Sequence, residues 1–200
     1  MPEVYLSPSP RHFNLGYGTF GTEEARMNLI ADVVELELVR NGLTTARNNP
    51  AYDLPTVVAD ANAQNSDIYV AIRSIYCTTD ARGARVYYYR PNSNGQRLAE
   101  DIYGFLSLLT PQADRGVEEG MSVYGGLGFY ELRRSRMPAV IVEVGCHNDP
   151  QNADFIVRNV YQIGVAIAEG ILSYFGLPFT PDTPEEQQRL ENEYNNVFFE

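Results

Sequence analysis

The stretch Asp67-Ile68-Tyr69-Val70-Ala71-Ile72-Arg73-Ser74 constrains the fold more than any other part of the chain. It is a run of β-branched and apolar residues that stops abruptly at a charge and a hydroxyl. A strand buried on both faces reads this way when it reaches the open edge of a parallel sheet. In open α/β sheets ligands gather at that carboxyl edge, so chemistry is expected close to Arg73. Residues 137–144 are the most apolar run of all and read as a central strand carrying Glu143 near its end.

The remaining segments alternate in the same sense. Residues 4–7, 43–46 and 84–89 read as further strands, and 129–132 as an edge strand. Between them lie helical patterns. One starts at an N-capping Thr22 with Glu23 and Glu24 in its first turn and carries Met27, Ile30, Val34 and Leu38 at helical spacing. Others cover 54–65, 95–109, 152–157 and 160–175, whereas 111–128 reads as a glycine-rich loop. Strands alternating with helices predict a single α/β domain over residues 1–177, a mostly parallel twisted sheet with helices on both faces. Residues 178–200 hold Pro178, Pro181 and Pro184 and then an acidic, glutamine-rich stretch, and read as a tail outside the core.

Composition narrows the function classes. The net charge of -11 argues against a nucleic-acid partner, which needs concentrated positive charge. All 15 basic residues are arginine, for which we have no physical account. No run approaches the roughly 18 apolar residues of a membrane span. The start Met1-Pro2-Glu3 lacks the pattern of a secretory signal, so the expectation is a cytoplasmic protein until release, or a component of a phage or cell-envelope assembly. Cys77 and Cys146 each follow a strand; they read as small buried apolar residues, with a cross-link between adjacent strand ends as the alternative.

Polar residues collect at the strand ends: Arg11, His12 and Asn14 after the first strand, Glu23 at the first helix, Arg73, and Glu143. Each has an ordinary reading alone, as surface, helix-dipole complement or ion pair. Glu143 is harder to place that way, because a carboxylate on so apolar a strand is costly unless paired or functional. Gly16-Tyr17-Gly18-Thr19-Phe20-Gly21 matches a dinucleotide-binding spacing, but residues 8–15 separate it from the strand and the second strand ends in Ala46-Arg47 rather than an acid.

In order and spacing, these residues resemble the zinc-dependent N-acetylmuramoyl-L-alanine amidases, which cleave peptidoglycan between the sugar and its stem peptide. The likeness covers roughly residues 4–176. Its landmarks are Leu6-Ser7-Pro8-Ser9 with Asn14, Gly21-Thr22-Glu23-Glu24, Val70-Ala71-Ile72-Arg73-Ser74, Arg97-Leu98-Ala99, Asp114-Arg115-Gly116-Val117, Pro138 through Gly145, and Ile167 through Gly176. The family holds zinc with two histidines and a glutamate and uses a second glutamate as general base. By resemblance Glu23 is the glutamate ligand and Glu143 the base. Neither histidine carries over: one position falls near Pro10, two residues from His12, and the other is Arg73, which has no lone pair for a metal.

Three readings follow. In the first the fold is kept, no cofactor is held, and Arg73 neutralises Glu23 and Glu143; the domain then binds peptidoglycan or its fragments, with Arg73, Asn14 and Arg115 as ligand contacts. In the second a rearranged zinc site of His12, Glu23 and His147 hydrolyses the cell wall. In the third the fold is a structural brick that self-associates or joins a larger assembly through the tail and through Tyr87, Tyr88, Tyr89, Tyr124 and Tyr130.

Overall fold

A computed structural model describes residues 3–78, 83–89, 91–110 and 115–197. Among the described residues six strands form one sheet: β1 (Glu3–Pro8), β2 (Thr44–Arg47), β3 (Ile68–Ile75), β4 (Arg85–Tyr88), β5 (Gly116–Glu119) and β6 (Ala139–Cys146). Their order is β2-β1-β3-β6-β4-β5. All neighbours run parallel except β4 and β6, which are antiparallel. The sheet is thus the expected mostly parallel one, with a reversed pair at one side.

The described residues also form seven α-helices: α1 (Glu23–Arg40), α2 (Leu54–Gln64), α3 (Ser93–Leu106), α4 (Tyr130–Arg134), α5 (Pro150–Arg158), α6 (Val160–Phe175) and α7 (Pro184–Asn195). Alternation along the strands sorts the core into two layers. Ile68, Val70 and Ile72 of β3 and Val140, Val142 and Val144 of β6 join the α1, α3 and α6 side. Tyr69 and Ala71, with Ala139 and Ile141, pack instead with Val57 and Ala61 of α2 and Leu132 of α4. Gly170 lets α6 lie close on α3: a Cβ there would stand 2.4 Å from Ile102 Cα.

The caps follow the sequence. Thr22 Oγ1 accepts from Ala25 N at 3.1 Å to open α1, and Asp53 caps α2 ahead of its proline. Among the described residues no single helix is long and apolar enough to cross a membrane.

Three local expectations need correction. Residues 129–132 are not an edge strand. Phe129 is the extended N-cap of α4, whose acidic start (Glu131) and basic end (Arg133, Arg134) complement a helix dipole. The outer strand on the β4 side of the sheet is β5, which lies inside the stretch expected as loop and pairs with β4.

The second correction concerns the cysteines, which are not free. A disulfide joins Cys77 to Cys146 across a Cα separation of 5.6 Å. A register shift between Arg73 and Ile75 sets Ile75 opposite Cys146 and so brings the two strand exits together.

The third concerns the tail, which contains α7. Thr183 caps it, and Leu190 is buried in the main core. Asn195 Oδ1 accepts from Tyr161 N at 2.9 Å. Val197 O accepts from both terminal nitrogens of Arg26 at 3.4 Å. The closing aromatics Phe198 and Phe199 lie outside the described residues.

Candidate functional site

The start of α1 and the ends of β3 and β6 meet as the strand pattern requires, but they divide into two corners. In the first, Glu23 is fully buried. Its Oε2 accepts from Asn14 Nδ2 at 2.6 Å, and its Oε1 accepts from the Ser74 backbone N–H at 3.2 Å. Ser74 Oγ shares a 2.9 Å hydrogen bond with His147 Nδ1, and the ring of His147 lies 5.9 Å from that of Phe20. Burial lowers the His147 pKa; Glu23 opposes the shift and Arg11 adds to it. The imidazole is therefore kept neutral at physiological pH.

Arg73 is not part of that corner. Successive residues of a strand point to opposite faces, so Ser74 turns towards α1 while Arg73 turns towards α4. Its guanidinium donates to Ser7 O at 2.6 Å and to Ile72 O at 3.2 Å, and it pairs with Glu131 at 3.5 Å. Both side chains are largely buried. The expected neutralisation of Glu23 and Glu143 by Arg73 is thus corrected: Glu23 is satisfied by amides, and the partner of Arg73 is a helix carboxylate that periodicity did not reveal.

Glu143 stands beside Arg73 in the parallel register of β3 and β6. Its Oε2 accepts from Arg115 Nη2 at 2.7 Å. Arg85, its register partner on β4, adds a second positive charge, although its own direct contacts are Tyr87 Oη and Glu118. Burial nevertheless holds the Glu143 carboxyl above its ordinary range, against the pull of both arginines. The reversed β4–β5 pair explains the cluster, because the starts of those strands, not their ends, arrive at the carboxyl edge of β6.

One prediction follows for this pair. Arg115→Met should cost about 3 kcal/mol at neutral pH, the scale for stranding a buried charge. A carboxyl whose folded pKa is raised favours folding fully below its unfolded value, and that contribution is lost as pH rises through the folded value. The deficit of Arg115→Met should therefore shrink on acidification through the carboxylate range, as read by urea titrations at several pH values. A deficit independent of pH would mean that packing, not charge, ties Arg115 to Glu143.

A cleft of about 910 Å³ opens over these groups. Asn14, Arg73, Ser74, Glu143 and His147 line it together with Arg11, Arg133 and several tyrosines. Three expected site residues stand outside the lining, among them the fully buried Glu23. Arg115 does not line the cleft but backs Glu143 as its ion-pair partner. His12 is exposed, outside the lining, with its ring edge-on to Phe13. Among the described residues no group of three or more His, Cys, Asp or Glu is placed to hold a metal ion. Sequence reasoning missed Glu131 and Arg85, and it placed no role on Ser74.

Comparison with known proteins agrees with this architecture. The sequence profile of the N-acetylmuramoyl-L-alanine amidase family matches residues 14–173. The uncharacterised protein YqiI of Bacillus subtilis is 33% identical over 122 residues, covering 59% of this chain and 56% of that protein. N-acetylmuramoyl-L-alanine amidase LytC of the same organism is 28% identical over 182 residues, covering 86% of this chain and 35% of LytC. The chain thus spans about half or less of the length of these relatives.

Among solved structures, N-acetylmuramoyl-L-alanine amidase AmiC2 of Nostoc punctiforme superposes with a TM-score of 0.74 at 26% identity, over 88% of this chain and 97% of that one. The catalytic domain of CwlV from Bacillus (Paenibacillus) polymyxa var. colistinus shares the fold with a TM-score of 0.77 at 21% identity, over 89% and 100% of the two chains.

Proposed function

The chain belongs to the N-acetylmuramoyl-L-alanine amidase family, and from that premise we propose that it is a cell-wall-binding domain that has kept the amidase cleft and given up zinc-dependent hydrolysis. The observation that carries this reading is Arg73. By resemblance it falls at the position of a zinc-binding histidine, and it is committed to Ser7 O and Glu131.

Zinc in this family would activate water for attack on the amide. The donor chemistry of this chain does not fit it. Guanidinium has no lone pair to give. His12 is exposed outside the cleft, and among the described residues no group of three or more His, Cys, Asp or Glu is placed to hold a metal ion. What remains is a recess of about 910 Å³ with aromatic and guanidinium groups, suited to holding a glycopeptide. In this reading Glu143, at the position of the family's base, is retained as the buried partner of Arg115.

Two measurements test the proposal together. Protein purified without chelator and dialysed against dilute zinc should hold well under one zinc per chain by elemental analysis, and it should sediment with purified peptidoglycan while releasing no stem peptides. One tightly held zinc, with release abolished in Glu143→Gln, would overturn it in favour of a rearranged catalytic site.

A further inference from the structure

Five arginines bear on the cleft, and they differ in what they are bound to. Arg73 is committed to Glu131, and Arg115 and Arg85, at the back, offset Glu143. The carboxylates lining the recess, Glu131 and Glu143, are therefore already matched. Arg11 and Arg133 also line it, both exposed, and neither guanidinium has an ion pair or hydrogen bond among the described residues. They stand on different elements of its lining. Arg11 lies on the loop after β1, close enough to His147 to lower its pKa. Arg133 lies on α4, two residues beyond the Glu131 that holds Arg73.

Charge bookkeeping makes these two residues unusual. The protein carries -11 overall, so its average surface repels anions. The cleft nevertheless presents two unmatched cations beside carboxylates that are already paired. Arg134 and Arg136 are exposed next to Arg133 and strengthen the positive field at that rim. Guanidinium recognises carboxylate through paired N–H donors, and a recess with low-dielectric walls strengthens the attraction. Tyr76 and Tyr124, both well exposed on the same lining, offer flat faces for the less polar parts of a ligand.

We propose that Arg11 and Arg133 form a two-ended carboxylate clamp, so that the cleft selects an extended peptide carrying two separated free carboxylates and discriminates against the same peptide with those groups amidated. The proposal rests on the cell-wall-binding reading and adds the ligand's charge state and the residues that sense it. Because neither side chain has a partner within the described fold, replacing it leaves the fold's own interactions intact.

The test is a titration of muramyl-Ala-Glu-Lys in two forms, with carboxylates free and with carboxylates amidated, followed by calorimetry. The free form should bind more tightly by about tenfold for each carboxylate, the order of one charge-assisted hydrogen bond. Arg11→Gln and Arg133→Gln should each remove about tenfold of affinity for the free form, leave the amidated form unchanged, and leave the melting temperature where it was. Equal binding of both forms, or variants that bind the free form as wild type does, would overturn the clamp while sparing the cell-wall reading. Binding of neither form, together with no sedimentation on peptidoglycan, would remove that reading and the clamp with it.

Discussion

Replacing Cys77 and Cys146 together by alanine should lower the free energy of unfolding by about 4 kcal/mol, the entropy scale for a loop of 69 residues. For a domain of this size that corresponds to a melting temperature lower by about 10 °C. The bond encloses one side of the sheet, since β4, α3, β5, α4 and nearly all of β6 lie between its ends. Opening it frees that half of the chain in the unfolded state. Locally it fastens the exits of β3 and β6, next to Ser74 and His147. The comparison that checks this is urea unfolding of the double variant and of wild type with and without reductant. A loss below about 1 kcal/mol would mean that the native fold holds the strand exits unaided. Asn148 is the group that could do so, because its side chain bonds both the N–H and the C=O of Cys77, at 2.8 and 2.9 Å.

The second large effect is expected at Arg73. Arg73→Met should cost about 3 kcal/mol, because it leaves Glu131 largely buried with no cation beside it. Arg73→Met combined with Glu131→Leu should recover most of that loss, since replacing both members of a buried pair by apolar residues is close to neutral. A double variant as unstable as the single one would place the cost in the bonds to Ser7 O and Ile72 O instead. Arg73→His is the instructive intermediate. It puts a lone-pair donor at the position that by resemblance holds a zinc-binding histidine, yet it strands Glu131, and the cleft's other histidine, His147, is bonded to Ser74, which turns to the opposite face of β3. The expected result is a destabilised protein that still holds no zinc after dialysis.

How much of this was legible in the sequence differs from residue to residue, for physical reasons. The apolar runs ending at Arg73 and near Glu143 were legible because strands buried on both faces must be apolar until they leave the sheet. Thr22 and Glu23 were legible because a helix start needs an acceptor and tolerates acid. Glu131 was not, since a helix of five residues carries no period, and its flanking aromatics imitate an edge strand. Arg85 was hidden by the reversal of β4, which brings a strand's beginning to an edge where only strand ends were expected. The direction of Arg73 hinges on side-chain parity across a strand end, and the facing helix that completes the pair was not recognised. The disulfide was legible only as the alternative reading of the two cysteines, because it depends on a one-residue register shift that spacing in sequence cannot express.

Arg26 has a consequence of a different kind. It is fully buried one turn beyond Glu23, and burial brings its pKa down to about 10. It donates to Thr19 O and Phe20 O in the loop before α1 as well as to Val197 O. One cation therefore ties the loop leading into the site to the segment that follows α7. Thermodynamic linkage makes such a tie reciprocal: whatever holds Thr19 and Phe20 in place also holds Val197, and the reverse.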